Sequence, residues 1–256
     1  MKFPKKNFSV VIPVHNEEKY LSFSFPSIVA LIPDEIVVIF DRCTDNSLSK
    51  VIGIYENFGK KTKLKKIFVD FDVDWIERVG FLRRLGFKEC QNDVILTTDA
   101  DIILDKKISD YIKFIDGDVK LVKFGFLDYP YTLKSFLRQI YSGFFPFKGY
   151  SGLYAFSKRA WLECENLEDA KISPAEDAHL QLSIEKRYRS LHFNTRSLHL
   201  RPTEDVASDI KRGWGYAATV KSSPFQVFLM STLMMRPHTF ASYMKWRRGM
   251  ILKKKF

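Results

Sequence analysis

The sequence is poor in cysteine, has no long apolar run and ends in a stretch from which acid is missing. Each shortage removes a class of protein. Three cysteines, Cys43, Cys90 and Cys164, form no C-x-x-C pair and leave an odd thiol, which argues against a disulfide framework and against a structural zinc site. A reducing, cytosolic setting is expected. The apolar residues 8–14 run straight into His15-Asn16-Glu17-Glu18-Lys19, so neither a cleavable signal nor a spanning helix is expected there. Residues 225–235 are also too short to cross a bilayer and stop at Arg236-Pro237. No internal repeat and no low-complexity linker interrupts the chain.

Of the 41 Lys and Arg, ten lie in residues 210–256, where there is no Asp or Glu; the rest of the chain holds 31 bases against 30 acids. The net charge of +11 therefore belongs to the tail and is not a general nucleic-acid signature. With 256 residues, 46% hydrophobic and 28% charged, the chain is expected to form one sizeable core over residues 1–209, followed by a basic, aromatic-rich amphipathic segment over residues 210–256.

The first half alternates strand-like and helix-like stretches. Residues 8–13, 35–40, 66–69 and 94–98 read as strands, and 17–31, 47–58 and 75–90 as helices. Strands at 119–126 and 153–157 and helices at 132–142 and 176–187 follow. This alternation predicts an α/β fold with a mostly parallel central sheet flanked by helices, and a helical C-terminal appendage.

Acids punctuate the ends of the predicted strands: Glu17, Asp41, the pair Asp99 and Asp101, and the doublet Glu176-Asp177. Open α/β sheets place ligands in the crevice beyond the carboxyl ends of their strands. Asp99 and Asp101, two apart after the apolar 94–96, are expected to project from one side, and hard oxygen ligands of this kind suit Mg²⁺ or Mn²⁺ bridging a diphosphate. Acids at strand ends are also common turn formers.

Five segments, in order, carry a resemblance. They are Val10-Val11-Ile12-Pro13-Val14-His15-Asn16-Glu17-Glu18; Phe40-Asp41-Arg42-Cys43-Thr44-Asp45-Asn46-Ser47; Arg83-Arg84-Leu85-Gly86; Thr97-Thr98-Asp99-Ala100-Asp101; and Ser151-Gly152-Leu153-Tyr154-Ala155-Phe156-Ser157 with Glu176-Asp177-Ala178-His179-Leu180. Together, over residues 8–200, they resemble the family 2 glycosyltransferases, inverting enzymes with the GT-A fold.

The resemblance implies a nucleotide-sugar donor, held by Pro13, His15, Glu17, Asp41 and Asp99, with the basic residues Arg78 and Arg83 near its phosphates. It implies a divalent metal, Mn²⁺ or Mg²⁺, at Asp101, Asp99 and His199. It implies Asp177 as the base that takes the acceptor proton, with Glu176 orienting the loop or the acceptor. Each residue also has a structural reading: Glu17 and the 176–177 doublet as helix-start acids, Asp41 as a turn residue, Arg78 on a solvated helix face, Arg83 as partner of a nearby acid, and His199 as a packed histidine.

Phe40 and Arg42 depart from the family's usual D-D-G, so the base is left open. The stretch Glu185-Lys186-Arg187-Tyr188-Arg189 lacks the Q-x-x-R-W of processive relatives, which points to transfer of a single sugar. The tail, with Trp214, Tyr216, Phe225, Phe228, Phe240, Tyr243, Trp246 and Phe256 among its cations, reads as a monotopic segment on an anionic leaflet. That would bring the enzyme to the inner face of the cell membrane beside a lipid-linked or glycan acceptor.

Other readings stay open. The tail helices could instead pack on the body or on a second subunit of a homo-oligomer. Nucleic acid is not the expected partner, although basic and aromatic tracts also stack on single strands. A nucleotidyltransferase would share the sheet and the acids but opens with a Gly-rich phosphate loop, and residues 13–19 contain no glycine. A carbohydrate- or membrane-binding relative without turnover is the non-enzymatic alternative.

Overall fold

A computed structural model describes residues 6–59, 61–71, 78–129, 152–164, 176–201, 223–233 and 236–253, together with 210, 213, 214 and 217. Strands β1 (Phe8–Val14) and β2 (Glu35–Asp41) form because each is an apolar, β-branched run. Both are buried almost throughout, as expected of strands covered on two faces. They lie in one sheet with β3 (Lys63–Val69), β4 (Val94–Thr97), β5 (Ile102–Ile103), β6 (Val119–Asp128), β7 (Tyr154–Ser157) and β8 (Arg189–His199), in the order β3-β2-β1-β4-β7-β6-β8-β5.

β1 is parallel to β2 and β4, β2 to β3, and β6 to β8. β7 is antiparallel to both β4 and β6, and β5 is antiparallel to β8. Because β7 reverses direction between β4 and β6, strands β1, β2, β4, β6 and β8 all end at the same rim of the sheet. The sheet is therefore mixed and mostly parallel, as the alternation predicts.

Strand alternation divides the core in two. Val10, Ile12, Ile36, Val38 and Phe40 pack with Leu21, Phe25 and Ile28 of α1 (Glu18–Val29) and with Val51 of α2 (Ser47–Phe58). Val11, Val37 and Ile39 point the other way, to Leu82 and Phe87 of α3 (Arg78–Glu89). Each such side chain, fully withdrawn from water, stabilises the fold by about 1.5–3 kcal/mol against the entropy of ordering it.

Several elements differ from the expectation. β3 begins at Lys63, three residues before the expected start, because exposed Lys63 and Lys66 and half-buried Lys65 along a sheet margin hide the strand's period in the sequence. β8 is a full strand of 11 residues. β5 and the short helices α4 (Ile108–Tyr111) and α5 (Lys158–Cys164) were not expected, being too short to show a period. Helix α6 (Glu176–Glu185) stops before 187, where turn residues lead into β8. The expected helix 132–142 lies outside the described residues, as does the start of the helix expected at 75.

The tail contains α7 (Pro224–Leu233) and α8 (Pro237–Lys253). They pack on one another through Val227 and Tyr243, with Phe240, Met244 and Trp246 around them. Phe228 meets Phe240 edge-on at 5.3 Å, and Trp214 lies 5.6 Å from Trp246. The tail aromatics are thus not all available to a headgroup layer: Tyr243 is fully buried, whereas Phe225 is 71% and Phe228 51% exposed. Among the described residues, no helix is long and apolar enough to cross a membrane.

Candidate active site

Two loops at the shared rim, 15–17 after β1 and 42–46 after β2, are bonded to each other. Asn16 adopts the left-handed region at φ 54°, which asparagine tolerates, and its Oδ1 accepts the Thr44 amide at 2.8 Å. The Glu17 amide donates to Ser47 Oγ at 2.8 Å, the Glu18 amide to Asp45 Oδ2 at 3.0 Å, and the Asn46 amide to Glu18 Oε2 at 3.1 Å. No glycine is needed, because side chains satisfy the free backbone groups that a tight turn leaves behind.

Asp41 ends β2 with its side chain 2% exposed, and Arg78 from the first turn of α3 grips both of its oxygens in a bidentate pair. His15 Nδ1 lies 2.6 Å from the Asp41 carbonyl oxygen and 3.8 Å from its carboxylate. Three expected donor residues, His15, Asp41 and Arg78, are therefore in one group, and Arg78 is engaged by Asp41 rather than lying on a solvated face. Pro13 lies within β1 opposite Ile39.

A second pair sits past β4, on the other side of β1. Arg83 is buried and donates to Asp99 Oδ1 at 2.5 Å, while Asp99 stays 40% exposed. Two glycines make this geometry possible. A Cβ on Gly86 would come within 2.5 Å of Val11 Cγ1 and 2.8 Å of Ile39 Cδ1, so α3 lies close enough to the sheet for Arg83 to reach the rim only because residue 86 has no side chain. A Cβ on Gly152 would meet Asp99 Oδ2 at 2.7 Å and Arg83 Nη2 at 3.0 Å.

β4 ends at Thr97, so Asp99 and Asp101 stand in a turn and not on an alternating strand. Their carboxylates accordingly take different partners. Asp101 is 5% exposed; its Oδ2 lies 3.5 Å from His199 Nε2 and 3.2 Å from Arg201 Nε. Its Oδ1 is buried and accepts no hydrogen bond among the described residues. β8 delivers His199, because Ile102 pairs with His199 and the Leu200 amide donates to the Asp101 carbonyl at 2.8 Å. Arg201 continues to Glu17, donating to both of its carboxylate oxygens, and its guanidinium lies 5.3 Å from the centre of the Tyr20 ring.

Burial raises the Glu17 carboxyl above its ordinary value; Arg201 opposes the rise, and the charges of Asp101 and Asp99 add to it. Burial works to raise Asp101 as well, but the hydrogen bond and charge of His199 and the charge of Arg201 outweigh it and hold that carboxyl low. Arg201 was missed in the sequence because it belongs to no motif. The available signal was a cation two residues after His199, at the spacing that alternation puts on one face.

Asp177 lies in the first turn of α6, and its Oδ1 accepts the Ala178 amide at 2.8 Å. Among the described residues, no hydrogen bond or ion pair joins it to Asp101 or Asp99. Glu176 begins the same helix, and its side chain lies outside the described residues. No described group of three or more acids, histidines and cysteines forms a ready metal cage. The donor types nevertheless fit a hard divalent ion: a buried carboxylate with an unbonded oxygen, and an imidazole beside it.

A mostly parallel sheet with acids and cations gathered past the ends of its strands has the architecture of the GT-A glycosyltransferases. A mannosyltransferase from Pyrobaculum calidifontis, solved with GDP-Man and Mn²⁺, superposes with a TM-score of 0.65 at 17% identity, over 93% of this chain and 74% of that one. Glucosyl-3-phosphoglycerate synthase from Mycobacterium tuberculosis, solved with Mn²⁺, UDP and phosphoglyceric acid, gives 0.56 at 17% identity, over 83% and 78%. Residues 9–155, more than half of the chain, match the model of glycosyl transferase family 2, and the chain belongs to that family. In sequence it is 30% identical over 124 residues to the poly(ribitol-phosphate) beta-N-acetylglucosaminyltransferase TarS of Staphylococcus aureus. That match covers 45% of this chain and 20% of TarS, so the chain spans only a small part of the curated relative.

Proposed function

We propose that this protein is a metal-dependent inverting glycosyltransferase that moves a single sugar from a nucleotide-sugar donor to a hydroxyl or phosphate acceptor on a glycan or lipid-linked carrier. The observation that carries the reading is the convergence of Glu17, Asp101 and His199, from three separate stretches of chain, at one rim: Asp101 Oδ2 faces His199 and Arg201, Arg201 also grips Glu17, and the buried Asp101 Oδ1 has no hydrogen-bond partner among the described residues.

The group formed by His15, Asp41 and Arg78 would hold the nucleoside half of the donor, with Arg83 and Asp99 beside the phosphates. Asp101 and His199 would hold Mn²⁺ or Mg²⁺. When bound, that ion supplies positive charge to the diphosphate leaving group. Asp177 would take the proton from the acceptor hydroxyl as its oxygen attacks the anomeric carbon, and one in-line displacement inverts the linkage. Structures related in fold carry UDP, UDP-GlcNAc or GDP-Man, with Mn²⁺ in three of them and Mg²⁺ in another, which supports a donor and an ion of these classes. Residues 210–256, with ten cations and no acid, support attachment to an anionic membrane surface, with catalysis on the cytoplasmic side.

The test is calorimetric titration of sugar nucleotides with and without Mn²⁺, paired with transfer assays. Asp101→Asn is expected to abolish metal-dependent donor binding. Asp177→Asn is expected to keep donor binding and lose transfer by about a hundredfold or more. Parental activity in either variant refutes the role given to that residue, and a parent silent across a broad donor panel refutes the enzyme.

A further inference from the structure

Arg201 is the residue that the family motifs do not account for. Its guanidinium bridges two carboxylates that are far apart in sequence, Glu17 and Asp101, and rests on Tyr20 of α1. It lies on the same oxygen, Asp101 Oδ2, that faces His199. Two desolvated carboxylates at one rim repel each other, and one cation between them offsets that repulsion.

A divalent ion taken up by Asp101 would perform the same service, and it would share that carboxylate with a guanidinium whose Nε is 3.2 Å from Oδ2. Two cations on one carboxylate in a partly buried site repel each other. We infer that Arg201 is the resident counter-cation of the metal-free site and competes with the divalent ion for Asp101. Ion entry requires the guanidinium to give up Asp101, while its bond to Glu17 and its contact with Tyr20 keep it at the rim. The consequence is a site that holds a bare ion weakly although its carboxylate is buried and its Oδ1 unsatisfied. The inference rests on the reading of Asp101 as a metal ligand.

Mn²⁺ binding without nucleotide, followed by the loss of the free-ion electron paramagnetic resonance signal, separates the two ideas. Arg201→Met is expected to bind Mn²⁺ about tenfold more tightly than the parent, because one unit of repulsion is gone from a half-exposed position. Its thermal midpoint should also rise more on adding Mn²⁺ than the parent's does. Arg201→Lys keeps the charge but cannot bridge both carboxylates with a planar fork, so it is expected to fall between the two, and it serves in place of Arg201→Met if that variant does not fold. A folded variant whose Mn²⁺ affinity equals or falls below the parent's overturns the competition and leaves the metal reading standing. If Mn²⁺ binds neither protein, even with UDP added, both fall.

Discussion

At the scale of single residues, the departures from the family pattern have physical readings. Arg42 stands where relatives place glycine, and it holds the left-handed conformation, φ 44°, that glycine adopts without strain. Its Nε lies 3.6 Å from Asp41 Oδ1, so the side chain adds charge to a carboxylate already gripped by Arg78. The cost of the backbone conformation and the value of the charge separate in a pair of variants. Arg42→Gly and Arg42→Ala lose the same charge, but only the first relieves the backbone. Arg42→Gly is expected to be the more stable by about 1 kcal/mol, read as a higher midpoint in urea. Equal midpoints would mean that the left-handed turn is not strained. Asp41, Asp99 and Asp101 stood out in the sequence because each ends or follows a strand whose apolar run is plain; His199 came only from the resemblance, since β8 has no such run. Arg201 was not, since what it joins, residues 17 and 101, is set by tertiary structure alone.

Among the elements, the two rim loops act as one unit. Asp45 is central to it, accepting the Glu18 amide at the start of α1 and the Ser47 amide at the start of α2, each at 3.0 Å. Its modest burial works to raise the carboxyl, but these hydrogen bonds outweigh it and hold Asp45 below the usual carboxylate range. A carboxyl depressed by folding adds stability that is fully present above its unfolded value, near 3.9, and is lost as pH falls through the lower folded value. Asp45→Asn should therefore destabilise the protein by about 1 kcal/mol at neutral pH, with the gap to the parent closing in strong acid. Denaturation at both pH values checks this, and a gap that does not narrow in acid would remove the charge from the account. The sequence showed the strand before each loop and the helix after it. The bonds between the loops stayed hidden because Asn16, Glu18, Asp45 and Asn46 look like ordinary turn and helix-start residues until the strands bring them side by side. The short elements were hidden for another reason: a strand of two residues and a helix of four complete no period.

For the whole molecule, the sheet was the most legible feature, since the buried runs of β1, β2 and β4 leave little choice but a doubly covered parallel arrangement. Its antiparallel insertion, β7 between β4 and β6, was not, because a strand's sequence carries its burial and not its direction. The tail is helical in its described parts, and its described aromatics include a packed set around Tyr243 and two with exposed faces, Phe225 and Phe228, of which Phe228 also touches Phe240. That division sharpens the proposed membrane contact. Replacing Phe225 and Phe228 together by serine is expected to weaken sedimentation with anionic vesicles by about tenfold or more while the melting temperature stays near the parent's. Unchanged binding would return the tail to the alternative of packing on protein.

The two margins of the sheet set how copies of this protein could meet. One is β3, whose exposed Lys63 and Lys66 put charge on an unpaired edge; the other is formed by the two residues of β5 and by the rest of β8. Hydrogen-bonded growth of the sheet from one molecule to the next is therefore disfavoured at the β3 margin.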